Sequence, residues 1–326
     1  MHSNVSRLLV LTSGGDAPGM NAAIRAVVRT ARFHGIEVYG SRRGFFGLVH
    51  HEVSELRPED VANCIQRGGT LLKTGRCDEF LRSEVRARCV LYLRELGIDG
   101  MVIIGGDGSF RGAAQLEREG GPRCIGIPGT IDNDIAGTEY TIGFDTARNT
   151  ALEAIDKIRD TASSHDRNFL IEVMGRRTGF LALDVGIAGG AELVLVPEFE
   201  PTLDEVAHRL LKPRREKLSH IIVVAEGDQP GRSLHIAAEL KLRTGTEYRV
   251  CILGHTQRGG TPTAFDRKLA SMMGAMAVRE LMAGRSRLMT VFVGGQVKTA
   301  PFPEVHAMRR QMTERDLLEL NEILAT

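Results

Sequence analysis

The stretch Met101–Ser109 reads M-V-I-I-G-G-D-G-S. Its pattern recurs along the chain and indicates the fold. Its four apolar residues form a run of strand length without polar alternation, which is typical of a parallel strand covered on both faces. Glycines follow at once and predict a tight turn at the carboxyl end of that strand. Asp107 places a carboxylate in the turn. The stretch therefore predicts a buried strand that ends in a polar turn.

The same alternation continues along the chain. Apolar runs predict strands at Leu8–Thr12, Gly100–Ile104, Cys124–Pro128, Phe169–Met174, Ile221–Ala225, Val250–Leu253 and Met289–Val293. Helical periodicity between them predicts helices at Met20–His34, Arg82–Leu96, Thr146–Ile158, Leu203–Lys212, Leu234–Leu242 and Ala264–Ala283. This order indicates the α/β class with doubly wound, Rossmann-like layers.

Glycine-rich turns that carry aspartate follow three of the predicted strands, at Ser13–Asn21, Gly105–Ser109 and Pro128–Asp134. Because ligands of open α/β sheets bind beyond the carboxyl ends of the strands, these turns predict one shared site. Histidine and arginine motifs of a different character lie in the second half of the chain. We therefore expect two Rossmann-like domains with an active-site cleft between them.

Composition, charge and apolar runs limit the classes of function that the chain is expected to have. The 326 residues include 42% hydrophobic and 25% charged residues, which is ordinary for a globular chain of roughly two domains. The formal net charge of +1 gives no reason to expect a nucleic-acid or membrane partner. No apolar run approaches the ~18 residues of a membrane helix, and the first apolar stretch is too short for a secretory signal. The five scattered cysteines form no C-x-x-C pair, as expected of thiols in a reducing cytoplasm.

Two of the turns are suited to binding phosphate. In T-S-G-G-D-A-P-G-M-N, Thr12–Asn21, the glycines let backbone N–H groups approach an anion at a helix start. In G-G-D-G-S, Asp107 offers the hard oxygen ligand that Mg²⁺ prefers. No Walker A loop is present. The alternatives are tight turns without a ligand, with Asp107 as a helix N-cap.

The third turn, P-G-T-I-D-N-D at Pro128–Asp134, places two carboxylates two residues apart. The two can point the same way, one toward a metal or solvent and the other toward a substrate hydroxyl. Phosphorylation of an alcohol requires a positioned base that accepts the hydroxyl proton. The alternative is a pair of surface aspartates in an ordinary turn.

These turns, together with S-S-H-D-R (Ser163–Arg167), E-V-M-G-R (Glu172–Arg176) and L-G-H-T-Q-R-G-G (Leu253–Gly260), resemble the bacterial phosphofructokinases in order and approximate spacing. The resemblance implies transfer of a phosphoryl group from ATP to the 1-hydroxyl of fructose 6-phosphate, with Mg²⁺, in a homotetramer. It also implies an ATP/Mg-binding domain at residues 1–143 plus 257–307 and a sugar-phosphate-binding domain at residues 144–256 plus 308–326.

The resemblance implies roles for individual residues. Asp132 corresponds to the general base and Asp107 to the Mg²⁺ ligand, with Asp134 nearby as support. Thr130 and Arg176 correspond to catalytic contacts to the reacting groups. The implied nucleotide contacts are Gly15, Arg76, Cys77, Gly106, Asp107, Gly108 and Ser109. The implied sugar-phosphate contacts are Thr130, Asp132, Arg167, Met174, Gly175, Arg176, Glu226, Arg249, His255 and Arg258, with Arg167 and Arg249 supplied by a neighbouring subunit.

Two glycines bear on the phosphoryl donor. Pyrophosphate-using relatives typically carry Asp at the position of Gly108 and Lys at that of Gly129, where a side chain would occupy the space of the α-phosphate. Glycine at both positions favours ATP. The nucleotide side departs from the family pattern at Cys77 and Leu81, whereas Phe45 and Arg86 match positions near the adenine.

A regulatory site is also implied. Arg25, Arg29, Arg159, Arg215 and Lys217 match a basic effector site for ADP or phosphoenolpyruvate, and Glu192 matches its metal contact. Converging cations favour polyphosphate anions. Pro58 stands where the family has a further arginine, and solvated helix surface is the competing interpretation.

Two rival functions remain open at this level. An NAD or lipid kinase would share G-G-D-G but would not account for P-G-T-I-D-N-D, M-G-R or H-T-Q-R-G-G. A non-catalytic sugar-phosphate sensor would be expected to lack the base or the metal ligand, and both Asp132 and Asp107 are present.

Overall fold

The computed structural model describes residues 5–211, 219–302, 310 and 314–325. The chain folds into two compact units. The first comprises Met1–Ile131, Ile135–Thr146 and Arg258–Arg310. The second comprises Asp132–Asp134, Ala147–Gln257 and Gln311–Thr326. The functional assignment of two domains stays a prediction.

A seven-stranded sheet forms the centre of the first unit. Its strands are β1 (Arg7–Ser13), β2 (Glu37–Ser41), β3 (Val53–Leu56), β4 (Gly100–Gly105), β5 (Arg123–Pro128), β10 (Leu288–Val293) and β11 (Gln296–Pro301), in the order β11-β10-β5-β4-β1-β2-β3. The five inner strands run parallel, and the edge strands β3 and β11 are antiparallel. Every residue of β4 is buried, as its continuous apolar run predicts.

The second unit contains a four-stranded parallel sheet in the order β7-β8-β6-β9. Its strands are β6 (Asn168–Val173), β7 (Leu193–Leu195), β8 (Ile221–Ala225) and β9 (Tyr248–Ile252). Leu170, Ile222 and Val224 belong to its buried core.

The helices are α1 (Met20–Phe33), α2 (Phe45–Val49), α3 (Ser83–Glu95), α4 (Asp107–Arg118), α5 (Phe144–Ser164), α6 (Phe180–Ala188), α7 (Leu203–Leu211), α8 (Arg232–Thr244), α9 (Ala264–Met282) and α10 (Arg315–Leu324). Alternation of these helices with parallel strands confirms the doubly wound α/β class. Each predicted strand and helix has a counterpart, and the bounds agree within a few residues except that α5 extends to Ser164 rather than ending at Ile158. Elements absent from the prediction include α4 and α6, and Met174 lies just beyond β6 rather than inside a strand.

All five cysteines are free thiols, and three of them, Cys64, Cys89 and Cys124, are buried. Burial raises the pKa of the Cys89 thiol to about 11, so this thiol stays protonated at neutral pH. Cys64, Cys89 and Cys124 are part of the buried core.

The start of α5 is fixed by a buried carboxylate. Asp266, in the first turn of α9, accepts hydrogen bonds from the backbone N of Gly143 at 2.9 Å and from the N and Oγ1 of Thr146 at 2.8 and 2.5 Å. The neighbouring Ile142 donates its N–H to Pro128 O at 2.9 Å and accepts from Thr130 N at 3.1 Å. Asp266 thus anchors the segment that supports the Pro128–Thr130 turn.

Burial raises the pKa of Asp266 from 3.8 to about 6, against the lowering effect of the Thr146 and Gly143 hydrogen bonds. The pKa of Asp266 is higher in the folded state than in the unfolded state. At pH values between the two pKa values, the native state therefore binds one more proton than the unfolded state. The stability contribution of this group is therefore complete below about pH 4 and is lost as pH rises through about 6.

Asp266→Asn removes this titration. The unfolding free energy of the native protein minus that of the variant should fall by about 3 kcal/mol between about pH 4 and pH 7. Urea unfolding followed by circular dichroism across this range measures the difference. Parallel pH curves for the two proteins would contradict it.

Candidate active site

The three glycine-rich turns that carry aspartate follow neighbouring strands of the first unit. These strands end at the same level of the sheet. Ser13 of β1 pairs with Gly105 of β4, and Gly105 pairs with Pro128 of β5. The chain moves from β1 to β2 on one side and places β4 on the other, so the β1–β4 junction is a topological switch point. Ligands of doubly wound folds bind at such a point, as the sequence predicts for these turns.

The β1 turn lies against an arginine from the second half of the sequence. Arg258 Nη1 donates to the carbonyl oxygen of Asp16 at 3.1 Å. A Cβ added at Gly15 would lie 2.4 Å from the same nitrogen. A side chain at position 15 would therefore displace the guanidinium, and glycine lets Arg258 approach the backbone of this turn.

The β4 turn leads directly into α4. Gly106 is the N-cap residue of α4 and Asp107 is its first residue, so the interpretation of Asp107 as the N-cap is wrong. Asp107 forms an ion pair with Arg111 one helical turn later, with Nη2 and Oδ2 3.2 Å apart. Ser109 is buried, and Gly108 is exposed beside Asp107. The helix N-terminus with these small residues is suited to a phosphate group.

The donor set at Asp107 fits Mg²⁺. Within the described ranges, no group of three or more His, Cys, Asp or Glu side chains could hold a metal ion. Mg²⁺ characteristically takes one or two carboxylates and completes its shell with water and substrate phosphates. One aspartate at a phosphate-binding helix start is such an arrangement.

Thr130, in the β5 turn, is half-buried and held through its backbone. Its carbonyl oxygen accepts a hydrogen bond from Thr141 Oγ1 at 2.6 Å, and its N–H is bonded to Ile142 O. Gly129 is crowded, since an added Cβ would lie 3.2 Å from both Ile104 and Met20. The turn is thus fixed while the Thr130 side chain keeps some exposure.

The nucleotide contacts expected outside these turns differ in their exposure and in the contacts that their side chains make. Arg76 is exposed and Cys77 is half-buried. Phe45 stacks on Phe80 with ring centroids 4.2 Å apart. Arg86 is held by both oxygens of the Glu119 carboxylate at 2.7 Å and by the carbonyls of Phe80 and Leu81, whereas the Leu81 side chain is 77% exposed.

In the second unit, Met174 and Glu226 leave neighbouring strand ends. Val173 of β6 pairs with Ala225 of β8, so the residues that follow lie side by side. Glu226 is buried and its Oε1 accepts from the backbone N of Arg176 at 3.0 Å. Two of the predicted sugar contacts, Met174 and Glu226, are thereby brought next to Arg176.

Arg176 adopts a left-handed backbone conformation, with φ of +53°, after Gly175 at +146°. A non-glycine residue there costs about 1–2 kcal/mol, so the surrounding contacts must hold it. Its Nε lies 3.8 Å from Oδ2 of Asp132, whose side chain is only 3% exposed. The structure therefore places the predicted base beside the predicted transition-state arginine.

The phosphofructokinase family model matches residues 7–281. A relative from Coxiella burnetii (strain RSA 493 / Nine Mile phase I), named ATP-dependent 6-phosphofructokinase, is 56% identical over 322 residues, which cover 99% of each chain. The chain belongs to the phosphofructokinase family.

Solved structures agree with this membership. Phosphofructokinase from Saccharomyces cerevisiae superposes with a TM-score of 0.87 and 32% identity over 98% of this chain and 48% of that chain. This chain therefore spans about half the length of the yeast protein. A pyrophosphate-dependent phosphofructokinase from Marinobacter aquaeolei gives a TM-score of 0.84 at 26% identity, covering 97% of this chain and 91% of its own. The phosphofructokinase fold alone thus does not determine the donor.

Arg167 and Arg249 lie far from the other sugar contacts of the second unit. Arg167 precedes β6, and Arg249 on β9 pairs with Phe169, near the amino end of β6. Met174 follows the carboxyl end of the same strand. At about 3.3 Å per residue, the length of β6 separates the two sets by about 20 Å. A single chain therefore does not bring these two sets of residues together. His255 is exposed in the Gly254–Arg258 turn, which follows the carboxyl end of β9.

The predicted effector residues occupy two places. Arg25 and Arg29 lie one helical turn apart on α1 of the first unit. In the second unit, Arg159 Nη1 lies 3.6 Å from Oε1 of the buried Glu192, and Arg159 Nη2 donates to the carbonyls of Gly189 and Gly190 at 2.7 Å. Arg215 and Lys217 lie outside the described residues.

Sequence reasoning missed the residues that support the site. Thr178 and Gln257 each bond to a turn that carries a predicted site residue. Asp266 bonds to Gly143, next to the residue that supports the Pro128–Thr130 turn. Gln257 stands inside the quoted L-G-H-T-Q-R-G-G motif, which was a usable signal. Thr178 lies two residues beyond E-V-M-G-R and had none.

In the described part of the chain, no helix combines the length and apolar character needed to cross a membrane.

Proposed function

We propose that this chain is an ATP-dependent 6-phosphofructokinase that converts fructose 6-phosphate to fructose 1,6-bisphosphate in glycolysis. The observation that carries the proposal is the buried Asp132 carboxylate beside Arg176, in a chain 56% identical to a relative of that name. The reaction is a transfer to an alcohol, which requires a base and charge stabilisation but little other chemistry.

Asp132 acts as the general base on the sugar 1-hydroxyl. Its carboxylate is buried beside Arg176, and Arg176 faces the charge that develops on the transferred group. Met174, Gly175, Glu226, His255 and Arg258 bind and orient the sugar phosphate. Thr130, two residues before Asp132 along the chain, contacts the reacting groups. Positioning accounts for most of the rate in this class of reaction.

The nucleotide binds at the β1–β4 switch point. The backbone at Gly15 and the start of α4 at Gly106–Ser109 hold the phosphates, and Arg76 and Cys77 lie on the adjoining segment. Asp107 would hold Mg²⁺, which would supply charge neutralisation on the donor phosphates. Arg111, paired with Asp107, is close enough to hold this carboxylate in place before nucleotide binds.

We propose that the functional enzyme is a homotetramer in the cytoplasm. The separation of Arg167 and Arg249 from Met174 along β6 supports a site completed by arginines from a neighbouring subunit. ADP or phosphoenolpyruvate is the proposed effector at Arg25, Arg29, Arg159, Arg215 and Lys217, with Glu192 as the metal contact. The pairing of Arg159 with Glu192 supports part of that site.

The first test is a coupled assay of fructose 6-phosphate phosphorylation with Mg²⁺, run in parallel with ATP and with pyrophosphate. We expect turnover with ATP alone. Turnover with pyrophosphate would overturn the choice of donor and leave Asp132 as the base. Absence of turnover with both would contradict the proposed function.

Gly108→Asp tests the donor argument. An added Cβ at Gly108 would find no atom closer than 3.9 Å, so the variant should fold normally. Its carboxylate would repel the α-phosphate, and kcat/KM for ATP should fall at least about 10-fold. Gly108→Asn, of equal size without charge, is the control. An unchanged kcat/KM in the aspartate variant, at an unchanged melting temperature, would contradict the argument.

Asp132→Ser tests the base. Turnover should fall by about 10²–10⁴-fold because proton transfer from the 1-hydroxyl loses its acceptor. The affinity for fructose 6-phosphate, measured by calorimetric titration, should change little. A variant with the full rate would rule out Asp132 as the base.

A further inference from the structure

The turn Met174–Thr178 carries a catalytic arginine in a backbone conformation that the arginine does not favour by itself. Gly175 and Arg176 both have positive φ values, +146° and +53°. The turn is also narrow, since a Cβ added at Gly175 would lie 2.5 Å from Thr178 O. Left-handed conformations of this kind persist only where surrounding contacts determine them.

Backbone contacts with two other residues hold the first half of the turn. Gln257 Oε1 accepts from Met174 N at 2.8 Å, and Glu226 Oε1 accepts from Arg176 N at 3.0 Å. Glu226 directly follows β8 and Gln257 belongs to the Gly254–Arg258 segment after β9, so both bonds hold the start of the turn within the second unit. Neither of these bonds joins the turn to Asp132.

Thr178 makes that connection. Its backbone N donates to Gly175 O at 3.0 Å and closes the turn. Its Oγ1 lies 3.0 Å from Gly175 O and 3.3 Å from Asp132 O, so its one proton is shared between the turn and the backbone of the base. The residue is 7% exposed, which shields these bonds from competing water.

We propose that Thr178 is a positioning residue for phosphoryl transfer: its hydroxyl fixes the Arg176 turn against the backbone of Asp132. The side-chain ion pair between Arg176 and Asp132 spans 3.8 Å, and the Arg176 side chain is 49% exposed. A contact that long and that open sets no distance by itself. The buried hydroxyl bond supplies the constraint from the backbone side, and it does so without touching substrate.

Positioning and binding have different kinetic signatures. A group that only holds two catalytic residues in register is needed at the transition state, where arginine and carboxylate must both be in place. Its loss therefore lowers kcat and leaves the affinity for fructose 6-phosphate nearly unchanged. A group that binds substrate changes KM as well.

The test compares Thr178→Val with Thr178→Ser. Valine keeps the shape and removes the hydroxyl, whereas serine keeps the hydroxyl and removes a methyl group. We expect kcat to fall about 10-fold in Thr178→Val, with KM and the calorimetric Kd for fructose 6-phosphate within about twofold of the native values. Thr178→Ser should retain kcat within about twofold, and both variants should melt close to the native protein.

The inference rests on the proposed function, but different results would contradict the function and the positioning role. If the native protein does not phosphorylate fructose 6-phosphate, the proposed function is at fault. If the native protein is active and Thr178→Val retains its kcat, the positioning role is wrong. An equal loss of kcat in Thr178→Ser, or a defect confined to fructose 6-phosphate affinity, would also overturn it.

Discussion

The hydrogen-bonded register of parallel strands is the constraint on which the rest of this structure depends. Ser13, Gly105 and Pro128 occupy one level across β1, β4 and β5, and Val173 and Ala225 do so across β6 and β8. The predicted phosphate contacts Gly15 and Gly106 follow the ends of β1 and β4, where backbone N–H groups have left the ladder and are available to a ligand. A shift of one strand by one residue would turn its side chains to the opposite face of the sheet.

Hydrogen bonds to backbone atoms hold several predicted site residues of this protein and the segment that supports the Pro128–Thr130 turn. Asp266 accepts from Gly143 N and Thr146 N, Glu226 from Arg176 N, and Gln257 from Met174 N. Such bonds set the path of a turn and leave the side chain on it available for chemistry. This suits phosphoryl transfer, in which catalysis comes mainly from placing charged groups correctly.

Burial has opposite uses in the two carboxylates that matter most. Asp266 is sealed in the first unit, where burial raises its pKa to about 6 and its role is to anchor α5. Asp132 is almost as inaccessible, yet it faces the guanidinium of Arg176.

The sequence by itself determined the class of fold and the positions of the main strands, and it predicted the residues of the candidate site. Continuous apolar runs can be buried on both faces, and the glycine and aspartate that follow them are local signals readable without any partner. The existence of α4 was not predicted, because Gly108 and Gly112 lower the helix propensity of Asp107–Arg118, and packing against β4 and β5 stabilises the helix. The start of α5 depends on the bonds of Gly143 and Thr146 to Asp266. Tertiary structure alone brought Thr178 to Asp132, Asp266 to Gly143 and Arg258 to Gly15, pairs separated by 46, 123 and 243 residues. Contacts at such separations depend on how the elements pack, and no local pattern of residues records them.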